Sequence, residues 1–250
     1  MTQQSNIRFT FGNAKLSKGT AILSLLAGHN CPGAKDCKSQ VVETPEGMRI
    51  QDGEHTEFRC YAASMELRSK PAYNMHKANF EALKAARTVD AKVKVITDAI
   101  EAQDVTDMRR VRIHASGDFF VQSYFDAWIE VARKYPDLIF YAYTKSLKFW
   151  VRRIDSIPSN FKLTASYGGH NDSLIEQHNL KAVTVVYSHE EAEEAGLPID
   201  KDDTHAWAQD GNFAQLIHGT QPAGSKASKA KEALKKVGYT GYGKGSKKAS

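Results

Sequence analysis

The chain has 250 residues, 41% of them hydrophobic and 25% charged, an ordinary globular balance with length for one full-sized core. No apolar run reaches the roughly eighteen residues of a membrane span, and the opening MTQQSNIRFT lacks a basic segment followed by an apolar one, so a soluble, cytoplasmic protein without a membrane partner is expected. The formal charge of +5 is concentrated at the end: residues 224–250 hold eight lysines against the single acid Glu232, leaving residues 1–223 slightly acidic.

Taken in chain order, Ile7 to Phe11 alternates enough for a short strand. Thr20–Ala27 (TAILSLLA) is an apolar run ended by Gly28, and a polar excursion through Pro45 and Gly47 follows. Ala, Lys and Glu with apolar residues at helical spacing predict a long helical zone from Pro71 to Ala102. Further strands are predicted at Arg112–Ala115, Leu138–Tyr143, Lys162–Ser166, Ala182–Tyr187 and Phe213–His218. Helical patterns separate them at Gln122–Lys134, Leu147–Ile154, Asp172–Gln177 and His189–Ala195. The first of these puts Tyr124, Ala127, Trp128 and Val131 on one face, with Pro136 just beyond its end. Six strands alternating with helices predict βα units and a parallel sheet covered on both faces. Periodicity leaves open a full or partial (βα) barrel and an open doubly wound sheet. The expected organisation is one α/β domain over 1–223, with a cysteine loop at 28–62, and a flexible Lys/Gly-rich tail over 224–250.

Each predicted strand after the first ends in polar residues. Ser116, Gly117 and Asp118 follow the strand containing His114; Thr144 and Lys145 follow the next; then come Ser166 and Gly168, Ser188 and His189, and His218 and Gly219. The carboxyl ends of parallel strands open onto one rim where ligands bind, so a shared pocket is expected there. The plainer readings are helix caps for Asp118 and Ser146, a turn at Gly168, and a core histidine for His114.

The three cysteines, Cys31, Cys37 and Cys60, all fall within thirty residues of a 250-residue chain. Thiolates hold zinc or iron–sulfur clusters. The spacing lacks the paired CxxC units of structural zinc, although His29 offers a Cys3His set. Three thiolates on a [4Fe-4S] cluster leave one iron open, and this was the expected centre, with three unligated thiols as the remaining alternative. No GxSxG elbow, HExxH or Walker loop is present, which disfavours a hydrolase.

The segments FGNAKL (Phe11–Leu16), AGHNCPGAKDC (Ala27–Cys37), RCYA (Arg59–Ala62), HASGDFF (His114–Phe120), FYAYTKS (Phe140–Ser146), TASYGG (Thr164–Gly169) and LIHGTQPAG (Leu216–Gly224) resemble the phage gene product 88 family. A more distant likeness, through CYA, SGDFF and YTKS, is to radical-SAM-like proteins. That likeness implies a partial, TIM-like (βα)6 barrel with the cluster loop after its first strand. It also implies a [4Fe-4S] cluster on Cys31, Cys37 and Cys60 that binds S-adenosylmethionine at the open iron, although the spacing here departs from the Cys-x3-Cys-x2-Cys hallmark. On this reading Ser116, Thr144, Ser166 and Gly168 line the cofactor rim, Lys145 stabilises developing negative charge, and Asp118 or His114 moves protons. The partners would be a small molecule or sulfur ligand at the iron and an electron donor. The second function weighed is a non-catalytic, metal-braced phage protein whose tail, with Tyr239 and Tyr242 among lysines, touches nucleic acid.

Overall fold

Alternation in Arg110-Val111-Arg112-Ile113 sets the two faces of the central sheet. In the computed structural model, which describes residues 7–13, 15–103, 107–239 and 241, seven strands form this sheet in the order β1-β2-β5-β6-β7-β8-β9. They are β1 (Thr10–Phe11), β2 (Thr20–Leu23), β5 (Arg110–Ile113), β6 (Ile139–Thr144), β7 (Phe161–Ser166), β8 (Ala182–Val186) and β9 (Phe213–Leu216). β1 pairs antiparallel with β2, and every later neighbour is parallel.

The register aligns like with like. Ala21, Val111, Phe140 and Phe161 form one row across four strands, and Leu23, Ile113, Ala142 and Leu163 form another. All eight belong to the main apolar core. Between them runs the row Ile22, Arg112, Tyr141 and Lys162, which points to the opposite face because side chains alternate along a strand. The apolar face is covered by α3 (Val89–Glu101), α4 (Gln122–Lys134), α5 (Leu147–Val151) and α6 (Ser173–Gln177). From α4, Tyr124, Ala127, Trp128 and Val131 are fully buried there, as their helical spacing predicted. Parallel crossovers are almost always right-handed, so strands laid down in chain order send their helices to the same side. The opposite face is met instead by α8 (Thr204–Trp207), whose Ala206 packs with Tyr141, Val183 and Phe213.

Three expectations about architecture are corrected. The sheet is mixed and mostly parallel, but it does not close as a barrel: β1 and β9 are its edges, and no pairing joins them among the described residues. The polar excursion is a separate antiparallel hairpin, β3 (Ser39–Thr44) with β4 (Gly47–Asp52), docked through Val41 against Leu26 and Tyr73. The long helical zone is three helices: α1 (Tyr61–Arg68), α2 (Lys70–Ala85) and α3. Ser69 ends α1 and caps α2 by accepting from Ala72 N, with Pro71 in the first turn, and Thr88 caps α3 by accepting from Ala91 N at 3.1 Å.

The segment expected to be a flexible tail begins with α9 (Lys226–Lys236), which follows α7 (His189–Glu194) and β9. It buries Ala227 and Leu234 against Val186, Leu216 and Ile217. Tyr242 and the lysines at 244, 247 and 248 lie outside the described residues. Among the described residues no helix is long and apolar enough to cross a membrane.

Candidate functional site

Of the strand-end residues singled out from sequence, Asp118, Thr144, Lys145 and Ser166 come together in a hydrogen-bonded knot. Asp118 accepts from Thr144 Oγ1 at 2.6 Å, from Phe119 N at 2.7 Å and from Lys145 N at 2.8 Å. Burial raises its carboxyl pKa, and those same bonds oppose the rise. Thr144 Oγ1 in turn accepts from Ser146 N, and Lys145 Nζ lies 2.5 Å from Ser166 Oγ. Ser116 Oγ donates to Glu66 Oε1 at 2.9 Å, which also receives Ala27 N and His76 Nδ1. The Gly168 and Gly169 amides donate to the Asp172 carboxylate. His114 is a core residue: its Nε2 lies 3.0 Å from Tyr124 Oη, its ring meets Phe119 edge-on, and burial lowers its pKa to about 3, so the imidazole is neutral.

This knot seats the cysteine loop. Gly168 O accepts from Lys35 N and Asp36 N, and Gly33 O accepts from His170 N. Gly33 is required by contact, since a Cβ there would lie 2.0 Å from Lys145 O. Cys31, Cys37 and Cys60 are consequently neighbours. Burial pushes the Cys31 thiol well up, with Asp118, Cys60 and Cys37 adding to it; burial pushes Cys60 up to about 12, with Cys37 adding.

The expected cluster is nevertheless overturned. Among the described residues no group of three or more His, Cys, Asp or Glu side chains is arranged to hold a metal ion. The same absence covers the zinc alternative with His29, whose Nε2 lies 2.8 Å from Val41 O of the hairpin.

The open space lies elsewhere, on the sheet face away from the main helices. A cavity of about 490 Å³ is lined by Lys15, Arg68, Arg112, Lys231 and Lys235, and by no acidic side chain. Arg112 comes from β5, Arg68 from α1, the other two lysines from α9, and Lys15 from the turn after β1. Beneath the floor, Asp203 reaches Lys15 at 2.5 Å and Arg112 at 2.6 Å and accepts from Tyr141 and Tyr143. Burial alone would raise the Asp203 carboxyl, but Arg112 and Lys15 hold it below the usual range. Asp200 lies 3.7 Å from Lys15 and accepts from Asp203 N and from His205.

The loop after β9 supplies the wall. Gln221 clasps Arg59 by accepting from its N and donating to its O, and Ser64 Oγ donates to Thr220 O. Gly219 sits at φ +74° where a Cβ would strike Tyr61 Cα at 2.8 Å, so the loop and α1 touch only because this residue is glycine. Within the loop His218 Nδ1 lies 2.9 Å from Leu216 O, an acceptor only, so this nitrogen carries the proton and Nε2 is the acceptor. Burial lowers His218 to about 4, with Lys15, Arg112 and Lys231 contributing, so it is neutral near pH 7. Lys231 is lowered by burial first and then by Lys235 and Arg68, and its Nζ donates to Gly219 O.

Sequence reasoning placed His218 and Gly219 on the rim but missed the five cations. Arg112 carried a signal, being a charged residue at an alternate position of a buried strand; Lys231 and Lys235 were hidden inside a segment read as tail.

The gene product 88 family model matches residues 5–236. The chain belongs to that family. The match takes in every strand of the sheet, the cysteine loop and all of α9. Among relatives of the family, the gene 88 proteins of Mycobacterium phages L5 and D29 are 34% and 32% identical to this chain over 90 residues. That stretch is 34% of this chain and 38% of either relative, so the similarity spans well under half of each protein. No solved structure matches the chain. The radical-SAM likeness gains no support from these matches.

Proposed function

We propose that this gene product 88 family protein is a binding protein for a small, multiply charged anion, held in the cavity between β5, β9, α1 and α9. The observation that carries the reading is that every charged side chain in the lining is a cation. Lys15 and Arg112 are balanced from below by Asp203, whereas Arg68, Lys231 and Lys235 have no carboxylate partner among the described residues. Burial first, and then Lys235 and Arg68, disfavour the charged form of Lys231, and an anion with two or more negative charges offsets that charge density. A monocarboxylate would leave most of it in place. The size also suits a small ligand, since such sites commonly span about 300–1,000 Å³.

Calorimetric titration with inorganic pyrophosphate at low salt tests the reading. Saturable one-site binding is expected, weakened about tenfold in Arg68→Ala/Lys235→Ala, two exposed positions whose loss leaves the fold intact. Absence of binding at millimolar pyrophosphate, or binding indifferent to the double substitution, would refute it. Affinity should also decline on the alkaline side at a pH below the ordinary lysine range, because Lys231 sheds its proton early.

A further inference from the structure

The cavity lining is not only cationic, and its aromatic and neutral polar members narrow the ligand class; the inference drawn here rests on the anion-binding reading above. The three cations without a carboxylate partner lie on α9 and at the end of α1. Beside them the lining holds Tyr61, Gln215, His218 and Tyr239, and Lys231 reaches the Gly219 carbonyl next to His218. Tyr61 is 38% exposed, high for a large aromatic, and its ring is tilted 49° against the His218 ring with centroids 5.6 Å apart. An aromatic face left open beside a cationic cavity is an unused stacking surface. Gln215 donates its amide N–H to Tyr143 Oη at 3.4 Å, which fixes the side chain so that its carbonyl is a positioned acceptor.

We propose that the bound anion is a nucleoside phosphate, with its base stacked at Tyr61 and its phosphate held by Arg68, Lys231 and Lys235. A sugar phosphate satisfies the cations but leaves the tyrosine uncovered. A free nucleoside covers the tyrosine but leaves three positive charges uncompensated. A ligand that carries both a flat heterocycle and a dianion meets the aromatic and the cationic members of the lining together. The same group occurs free or as the phosphorylated end of a nucleic-acid strand. The cavity recognises the shared chemistry, and the two sources are separated by the test.

The experiment is a titration series on the full chain with adenosine 5′-monophosphate, cytidine 5′-monophosphate, ribose 5-phosphate, adenosine and inorganic pyrophosphate, followed by a 5′-phosphorylated oligonucleotide. Either mononucleotide should bind about tenfold or more tightly than ribose 5-phosphate, the contribution expected of one stacked base. Tyr61→Ala should reduce mononucleotide affinity about tenfold more than it reduces pyrophosphate affinity, and Tyr61→Phe should restore the difference because the stacking face returns. Mononucleotides binding no better than ribose 5-phosphate, with pyrophosphate binding intact, would overturn this inference and leave the anion reading standing. Loss of pyrophosphate binding as well would overturn both. Equal affinity for the free mononucleotide and the oligonucleotide end assigns the site to strand termini as well as to free nucleotides; a strong preference for the free form assigns it to small molecules.

Discussion

The knot beneath the cysteine loop and the cavity beside α9 are both built from loops leaving the same sheet, yet they treat polarity in opposite ways. In the knot, Asp118, Thr144, Lys145 and Ser166 spend their hydrogen bonds on one another and on backbone, so the side chains that look most reactive in sequence are joints. In the cavity, the buried carboxylate Asp203 is matched by Lys15 and Arg112 and then outnumbered by further cations facing space. Density of polar residues therefore locates a seam in this fold. An unbalanced charge around a void locates the proposed binding site.

The sharpest way to break this contrast is to remove the carboxylate under the cavity. Asp203→Asn keeps the shape, and asparagine tolerates the left-handed backbone at φ 67°, but it takes the carboxylate away from Arg112 and leaves Lys15 with Asp200 at 3.7 Å. Stability measured by urea unfolding should fall by about 3 kcal/mol, the lower end for breaking a buried pair. Pyrophosphate should bind more tightly at the same time, since two more cations become available to it. A parallel loss of stability and affinity would show that Asp203 merely shapes the cavity.

A smaller effect is expected in the knot. Gly33→Ala drives a methyl group into the Lys145 carbonyl and should cost about 1–3 kcal/mol in the same unfolding assay, with pyrophosphate affinity preserved. Lost affinity there would couple two regions that the structure separates.

The smallest effect is set by protons. His114 stays neutral in the fold down to about pH 3, whereas an unfolded histidine protonates near 6.5. Between those values the unfolded chain holds more protons, so stability rises with pH and is lost on acidification, by at most about 1.4 kcal/mol per pH unit from this group. His114→Asn, suited to the positive φ of 68°, should flatten the dependence of the urea midpoint between pH 6 and 4.5; an unchanged slope would assign it to His218 or another group.

Much of the fold was legible because its signals are local. The runs FYAY and KLTA and the helix from Gln122 are each specified by their own periodicity, and the structure has them within a residue or two. The β3–β4 hairpin was missed because Pro45-Glu46 is not one of the usual two-residue turn pairs and its strands are polar. Sheet closure was unreadable, since a barrel and an open sheet share the same strand periodicity. The site failed for a different reason. Clustering of Cys31, Cys37 and Cys60 along the chain was a true sign of proximity but said nothing of mutual geometry, and chelation depends on geometry. The cavity draws Lys15, Arg68, Arg112 and Lys231 from four distant stretches, and only the tertiary arrangement brings them around one void.

Because one wall of that void is α9 and the stretch reaching Gly241, the sheet and its main helices are all synthesised before the pocket can exist. A ribosome-bound chain halted ahead of Lys231 already contains the whole apolar core and would still have no enclosed place for a ligand. On the proposed reading, occupancy is thus a late event in the life of each molecule, and clipping by a protease after β9 would remove the α9 wall of the cavity.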